Sequence, residues 1–337
     1  MTIRTEAHVM ENWRRDASPF VSILCITYNH EEYISKAIDS FLEQETNFPY
    51  EIIIHDDAST DKTPEIIKAY NAKYPNIIKP IFQTENQLSK HKKNPLLIAA
   101  SCANGEYIAL CEGDDYWTDS KKLTIQITEM QKNPNCDISF HPVFGKFIDK
   151  NKPEKVLAYH SDTCKIFYTK ELILGAAKFC QTASLVVKTN ILKTMPEWFW
   201  NVPIGDYFLQ IIGSQNGGAL YINKVMAVYR VSSSGSWSER MSHDENFAYD
   251  YYIRMLKSLD DINKYTQYKF TNEFGVIRNK FCFYMAINPV LALQKRKEIF
   301  LTNSDKFDFK RKLVWHLIFK KNKIAKLALY IKKNIFS

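Results

Sequence analysis

Apolar positions along the first 130 residues alternate between two periods. "VSILCIT" (21–27) is a short β-branched run and predicts a buried strand. In "YNHEEYISKAIDSFLEQ", Tyr33, Ile34, Ala37, Ile38, Phe41 and Leu42 recur at helical spacing. The cycle then repeats. "YEIIIHDDASTDKT" gives a strand over Glu51–Ile54 and a polar loop, and "DKTPEIIKAYNAKY" a helix with Pro64 in its first turn. "IIKPIF" is a third strand, "NPLLIAASCANG" a helix stopped by Gly105, and "EYIALC" a fourth strand. This rhythm predicts an α/β fold with a doubly wound, mostly parallel sheet flanked by helices. Further on, "SKKLTIQITEMQKNP" predicts a helix, and "CDISFHPVFGKFID" and "TASLVVKTN" predict strands. "PIGDYFLQII" leads into a helix, and "LYINKVMAVYRVS" alternates and closes the sheet region. From about Asp244 the pattern is helical. We therefore expect an N-terminal arm (1–18), a main domain (19–243) and a mainly helical C-terminal region (244–337).

Ligands of doubly wound sheets bind beyond the carboxyl ends of the strands. Three polar clusters fall there: "TYN" (27–29), "HDDAST" (55–60) and "EGDD" (112–115). In the last, Glu112, Asp114 and Asp115 crowd three like charges together, which calls for a compensating divalent cation such as Mg or Mn, or for open solvent. Asp56 and Asp57 suit a ribose hydroxyl or base N–H; the same loop also suits an Asx-type turn or helix cap supplied by Asp61 or Thr60, and the two readings coexist. Tyr28 suits stacking on a base and Thr27 bonding to it. Asn29 suits capping of the next helix as well.

Composition changes this picture little. With 337 residues, 45% apolar, the chain has room for one large α/β domain plus an extension. Its seven cysteines are scattered, with no CxxC pair, which suggests reduced thiols and a cytoplasmic setting. The first 19 residues lack the apolar core of a signal peptide, and no apolar run has the length of a transmembrane helix. Charge matters more. The net charge is +8, yet residues 309–337 alone carry nine Lys or Arg and no acid. The basic device is thus local. It predicts amphipathic helices that either lie on an anionic membrane or pack on the protein with their lysines exposed, and it argues against nucleic acid as a partner.

The ordered set "VSILCITYNHEEYISKAIDSFLEQ", "EIIIHDDASTDKT" and "GEYIALCEGDDYW", with "KL" at 122–123, resembles an inverting family 2 glycosyltransferase of the GT-A fold. The similarity runs over about residues 19–240 and is greatest to the bacterial branch that builds surface polysaccharides such as O-antigen and capsule. The resemblance implies that Thr27, Tyr28, Asn29, Asp56, Asp57, Asn86 and Asn94 line the nucleotide pocket. It implies that Glu112, Asp114 and Asp115 form the DXD-type motif for Mn or Mg and the ribose, with Glu in place of the usual first Asp. Tyr116 and Trp117 would wall the sugar pocket. Asp206 in "PIGDYFLQ" would be the catalytic base, its alternative role being a helix cap. The donor would be a UDP-sugar, the acceptor a lipid-linked oligosaccharide, and the protein peripheral at the inner face of the membrane. One departure stands out. Many relatives carry a His in "YRVH" where this chain has Ser232, so that a water or His243 completes metal ligation or metal binding is weaker. The segment "SSSGSWS", with Trp237, suits a lid or a linker. Two other readings stay open: a non-catalytic nucleotide-binding module with a decayed site, and a sugar-nucleotide pyrophosphorylase. The latter would want a Gly-rich loop where "TYNHEEY" has none.

Overall fold

The computed structural model describes residues 4–14, 17–91, 93–147, 153–231 and 237–320, with the side chains of 237–239 and 319–320 excepted. Ser232 and most of the "SSSGSWS" segment, and the tail beyond Lys320, lie outside the described residues. The chain divides into two compact units, Met1–Ser233 and Ser234–Ser337.

In the first unit, the strands in chain order are β1 (Val21–Thr27), β2 (Tyr50–Asp56), β3 (Ile78–Phe82), β4 (Tyr107–Leu110), β5 (Tyr116–Trp117), β6 (Ile138–Phe140), β7 (Val143–Phe147), β8 (Lys155–Leu157), β9 (Lys165–Phe167), β10 (Val186–Lys188), β11 (Ala219–Tyr221) and β12 (Ala227–Val231). Eight form the main sheet in the order β3-β2-β1-β4-β10-β6-β11-β9. The pairs β3–β2, β2–β1 and β1–β4 are parallel, as is β6–β11. β10 runs antiparallel to both its neighbours, and β9 to β11. The expected α/β sheet, mostly parallel and flanked by helices, is present.

β1 and β2 carry almost unbroken apolar runs because both faces of the sheet are covered. Ile23, Ile52, Ile54 and Ala109 are fully buried, and the helices Ile34–Leu42 and Lys122–Lys132 add Ile38, Phe41 and Leu123 to the same core. Register sets the site. Thr27 pairs with Asp56, and Leu24 with Leu110, so the chain that follows each of these strands emerges at one edge.

"LYINKVMAVYRVS" does not continue as one strand. It breaks after Tyr221, and β12 joins a second sheet, β5-β12-β7-β8. This places β12 antiparallel to the two-residue strand that follows the acidic cluster. The N-terminal segment packs on the unit: Trp13 meets Tyr50 edge-on at 4.9 Å, and its indole N–H donates to Thr46 Oγ1 at 3.0 Å. The seven cysteines are free thiols.

The second unit is helical, as expected. It comprises the helices Trp237–His243, Glu245–Tyr265, Thr271–Ile287, Leu293–Asn303 and Phe309–Lys320 around a core of Leu259, Ile262, Phe283, Ile299 and Phe300. Among the described residues, no helix is long and apolar enough to cross a membrane.

Candidate active site

Gly113 organises the strand-end site. Its N–H donates to Ile26 O at 2.9 Å, which lays the "EGDD" turn against the end of β1. A Cβ at this position would stand 2.6 Å from Thr27 Oγ1 and 2.9 Å from His30 Nδ1. Only glycine lets the turn approach this closely. Gly113→Ala should therefore cost about 1–3 kcal/mol of stability, by analogy with other overpacked sites. Urea denaturation checks the cost.

The turn brings the three acids together. One carboxylate oxygen from each of Glu112, Asp114 and Asp115 lies within 4.8 Å of the others. Asp115 is fully buried. Its Oδ1 accepts the Arg230 backbone N–H at 2.8 Å, and its Oδ2 has no hydrogen-bond partner. Burial, then the charges of Asp114 and Glu112, push its carboxyl well above the usual range. Loss of solvation around Glu112, then the charges of Asp114 and Asp206, push that carboxyl up to about 8. Solvent still reaches Glu112, so the like charges are the firmer cause. Thr27 Oγ1 and His30 Nδ1 are likewise buried without partners. Two orphaned polar atoms beside Gly113 and a third on Asp115, two residues on, mark a place where a ligand is needed. An all-oxygen donor set with an unmet buried carboxylate oxygen fits a hard divalent cation.

The countercharge is Arg230, which the sequence reading did not single out. Its guanidinium carbon sits 4.9 Å and 4.7 Å from the ring centroids of Tyr33 and Tyr116, and the group donates to Asp114 O. The signal was present in "YRV", but only the pairing of β12 with β5 reveals that this strand runs beside the acids.

Asp206 opens the helix Gly205–Gly213 but does not cap it. The cap position is Ile204, which makes no side-chain cap bond. Asp206 Oδ1 accepts Tyr207 N–H at 2.7 Å, and Thr182 Oγ1 donates to Oδ2 across a long 3.4 Å. Burial raises its carboxyl to about 6 against these bonds. Asp206 lies near enough to the acidic cluster for its charge to act on Glu112, and Tyr229 feels Glu112, Asp115, Asp114 and Asp206 together.

The remaining expected residues fall into two groups. Tyr28 is exposed at the end of β1. Asn29 adopts φ 55° and does not cap a helix. Its Oδ1 accepts Thr60 N–H at 2.8 Å, and its own N–H donates to Ser59 Oγ at 2.8 Å, so it ties the first loop to the second. Asp56 is buried and accepts from Ser59 N–H and Oγ. Asp57 accepts Gln87 N–H at 2.7 Å and Leu88 N–H at 3.2 Å, while Asn86 Nδ2 donates to Asp57 O at 3.0 Å. Asp57 and Asn86 thus clasp the loop after β3. Asn94 caps the helix Pro95–Ser101 through Leu96 N–H, and its Nδ2 lies beside Gly205, one residue before Asp206.

Trp117 requires a correction. It does not wall a sugar pocket. It is 3% exposed, packs edge-on to Phe41 at 4.8 Å, and spends its indole N–H on Ala183 O at 3.0 Å. It follows the acids directly, but β5 turns it inward. Behind it lies Lys122, fully buried, with Nζ 4.2 Å from the Trp117 ring centroid and 2.6 Å from Gln126 Oε1. Gln126 Nε2 donates in turn to Ser184 O and Ser139 Oγ. Trp117 and Gln126 therefore both hold the turn Thr182–Ser184, whose first residue reaches Asp206.

Burial lowers the Lys122 ammonium to about 7. The unfolded chain then binds more protons between that value and the ordinary lysine range. Stability should rise with pH across this window, at up to about 1.4 kcal/mol per pH unit. Lys122→Met should flatten the rise, as chemical denaturation at pH 7 and pH 9 would show.

A cavity of about 1290 Å³ lies elsewhere, between the N-terminal segment and the helix Lys122–Lys132. It is an open polar groove that includes none of the strand-end acids. A cavity of about 600 Å³ is better placed. It is lined by Gln87, His91, Lys93, Trp200 and Asn201, between the Asp57 clasp and the lead-in to Asp206.

Residues 22–194 match the family model "Glycosyl transferase family 2". An uncharacterised protein of Mycobacterium tuberculosis is 37% identical over 230 residues, covering 67% of this chain and 63% of that protein. The chain thus spans less than two thirds of that relative's length. The Escherichia coli UDP-Glc:alpha-D-GlcNAc-diphosphoundecaprenol beta-1,3-glucosyltransferase WfgD is 29% identical over 222 residues, covering 65% of this chain and 80% of WfgD. Among solved structures, S. aureus TarS 1-349 in complex with UDP-GlcNAc superposes with a TM-score of 0.57 at 16% identity, over 89% of this chain and 91% of that one. This last likeness bears on fold alone.

Proposed function

The chain belongs to glycosyl transferase family 2, with the GT-A fold, and we propose that it moves a hexose from a UDP-sugar to a hydroxyl of a lipid-linked oligosaccharide, inverting the anomeric centre, in surface polysaccharide synthesis. One observation carries the reading. A partly buried carboxyl raised to about 6, Asp206, lies near a cluster of acids with an unmet buried oxygen. The WfgD name supports the donor and acceptor classes.

Thr27, Tyr28 and Asp56 would receive the nucleoside at the ends of β1 and β2, and the Asp57–Asn86 clasp would hold the loop beside them. Glu112, Asp114 and Asp115 would hold Mn or Mg, whose chemistry when bound is to neutralise charge on the departing diphosphate. Arg230, fixed between two rings, adds a positive charge at the same place. The acceptor would enter by the cavity beside Trp200. Asp206 then removes the proton from its hydroxyl. The freed oxygen pair forms the new bond to the anomeric carbon, and the old bond's electrons leave with UDP. A carboxyl near 6 is ionised at neutral pH yet more basic than an ordinary aspartate, which suits a general base.

The test is UDP release from a panel of UDP-hexoses, with and without a polyprenyl-diphosphate-linked amino sugar. Release that requires the acceptor is the expected result. Tight UDP binding with no turnover across the panel would instead support a non-catalytic module.

A further inference from the structure

The helix Phe309–Lys320 is apolar on two opposite sides. One side is packed. Trp315 is 6% exposed, and its ring stacks on Phe300 with centroids 4.2 Å apart and planes 3° apart. The other side is open among the described residues. Phe309 is 81% exposed, Leu313 47% and Leu317 42%. Their i, i+4, i+8 spacing sets them in one row. At about 100° per residue, Lys310 falls about 20° beyond one edge of the row, His316 and then Lys312 fall about 20° and about 60° beyond the other, and Trp315 lies nearly opposite. The expected alternative, helices that pack on the protein with their lysines exposed, accounts for Trp315 but not for the exposed row.

Charge says what such a row can meet. Residues 309–337 hold nine Lys or Arg and no acid. The stretch beyond Lys320 brings Lys321, Lys323, Lys326, Lys332 and Lys333. That stretch adds five positive charges and no acid, and a second copy adds the same sign again, so neither offsets the lysines beside the row. An anionic surface with an apolar layer beneath it satisfies both the lysines and the row.

We propose that Phe309, Leu313 and Leu317 form a membrane-docking face that lies on an anionic phospholipid bilayer. The apolar side chains sit at the acyl boundary, and Lys310 and Lys312 sit at the phosphates. The inference rests on the lipid-linked acceptor reading, since a protein held at the leaflet meets such an acceptor in two dimensions.

Flotation of the full chain with vesicles tests the face. Wild type should float with phosphatidylcholine vesicles containing phosphatidylglycerol and stay behind with phosphatidylcholine alone. Phe309→Ser/Leu313→Ser/Leu317→Ser should lower binding at least tenfold. Lys310→Gln/Lys312→Gln should lower it roughly thirtyfold, about fivefold per charge. Phe309, Leu313 and Leu317 are exposed, so the melting temperature of the triple variant should not move, and the single Leu313→Ser should give a smaller loss in the same direction. Equal binding by wild type and the triple variant would overturn the proposal. So would equal binding to both vesicle types, or a triple variant that changes only the oligomeric mass. Turnover on a water-soluble acceptor analogue separates this from the reaction itself. The triple variant should match wild type there, and absence of turnover in both would count against the reaction and not against the face.

Discussion

Asp206→Asn should lower sugar transfer by about 10²–10⁴-fold, the range for loss of a general base, while UDP affinity changes by no more than about twofold. The substitution keeps the shape and the Tyr207 and Thr182 partners but removes the proton acceptor. The pH dependence sharpens the expectation. Burial raises the Asp206 carboxyl to about 6, so wild-type kcat/KM should fall as pH drops through that value, two units above an ordinary aspartate. The residual rate of the variant should lack this limb. Stability separates a lost base from a lost fold. A carboxyl raised in the folded state contributes stability below its unfolded pKa and loses it as pH rises through 6. Asp206→Asn removes that loss, so the variant should be no less stable than wild type at pH 7. Steady-state kinetics from pH 5 to 8, with thermal melts alongside, reads all of this.

Asp115→Asn should show stability and function moving in opposite directions. Asp115 is buried, repelled by Asp114 and Glu112, and left with an unmet oxygen. Removing its charge relieves the apo protein, by about 1–2 kcal/mol if the site behaves like other strained functional positions. Cation-dependent UDP binding should disappear in the same variant. In wild type, Mn should raise the melting temperature, and more at pH 8 than at pH 5.5. At the lower pH, protons held by the raised Glu112 and Asp115 carboxyls compete with the cation. A cluster that is only a solvated turn would give neither the opposition nor the pH trend.

The strand ends were legible in the sequence because parallel strands buried on both faces leave continuous apolar runs. The polar residues that stop each run mark where it emerges. Thr27, Asp56 and the Glu112–Asp115 turn stand at one edge for that reason. Asp206 was legible only through the family resemblance, since "PIGDYF" by itself also reads as a helix start. What stayed hidden depends on pairing between distant segments. Arg230 enters the site because β12 lies against β5, and His30 because Gly113 lets the turn close on β1. Trp117 read as a pocket wall from its place after the acids, but a two-residue strand sends it into the core, where Phe41 and Lys122 receive it. The tight links Asn29–Thr60 and Asp57–Gln87 are likewise contacts between loops, which no periodicity encodes.

The central claim is that the Glu112–Asp114–Asp115 cluster receives a cation and a nucleoside diphosphate together. Calorimetric titration of UDP with and without Mn, on wild type and on Asp114→Ala, tests it most directly. Binding that strengthens with Mn in wild type and loses that dependence in Asp114→Ala is the expected result. UDP binding indifferent to both Mn and the substitution would contradict it, and the diphosphate site would have to be sought elsewhere in the chain.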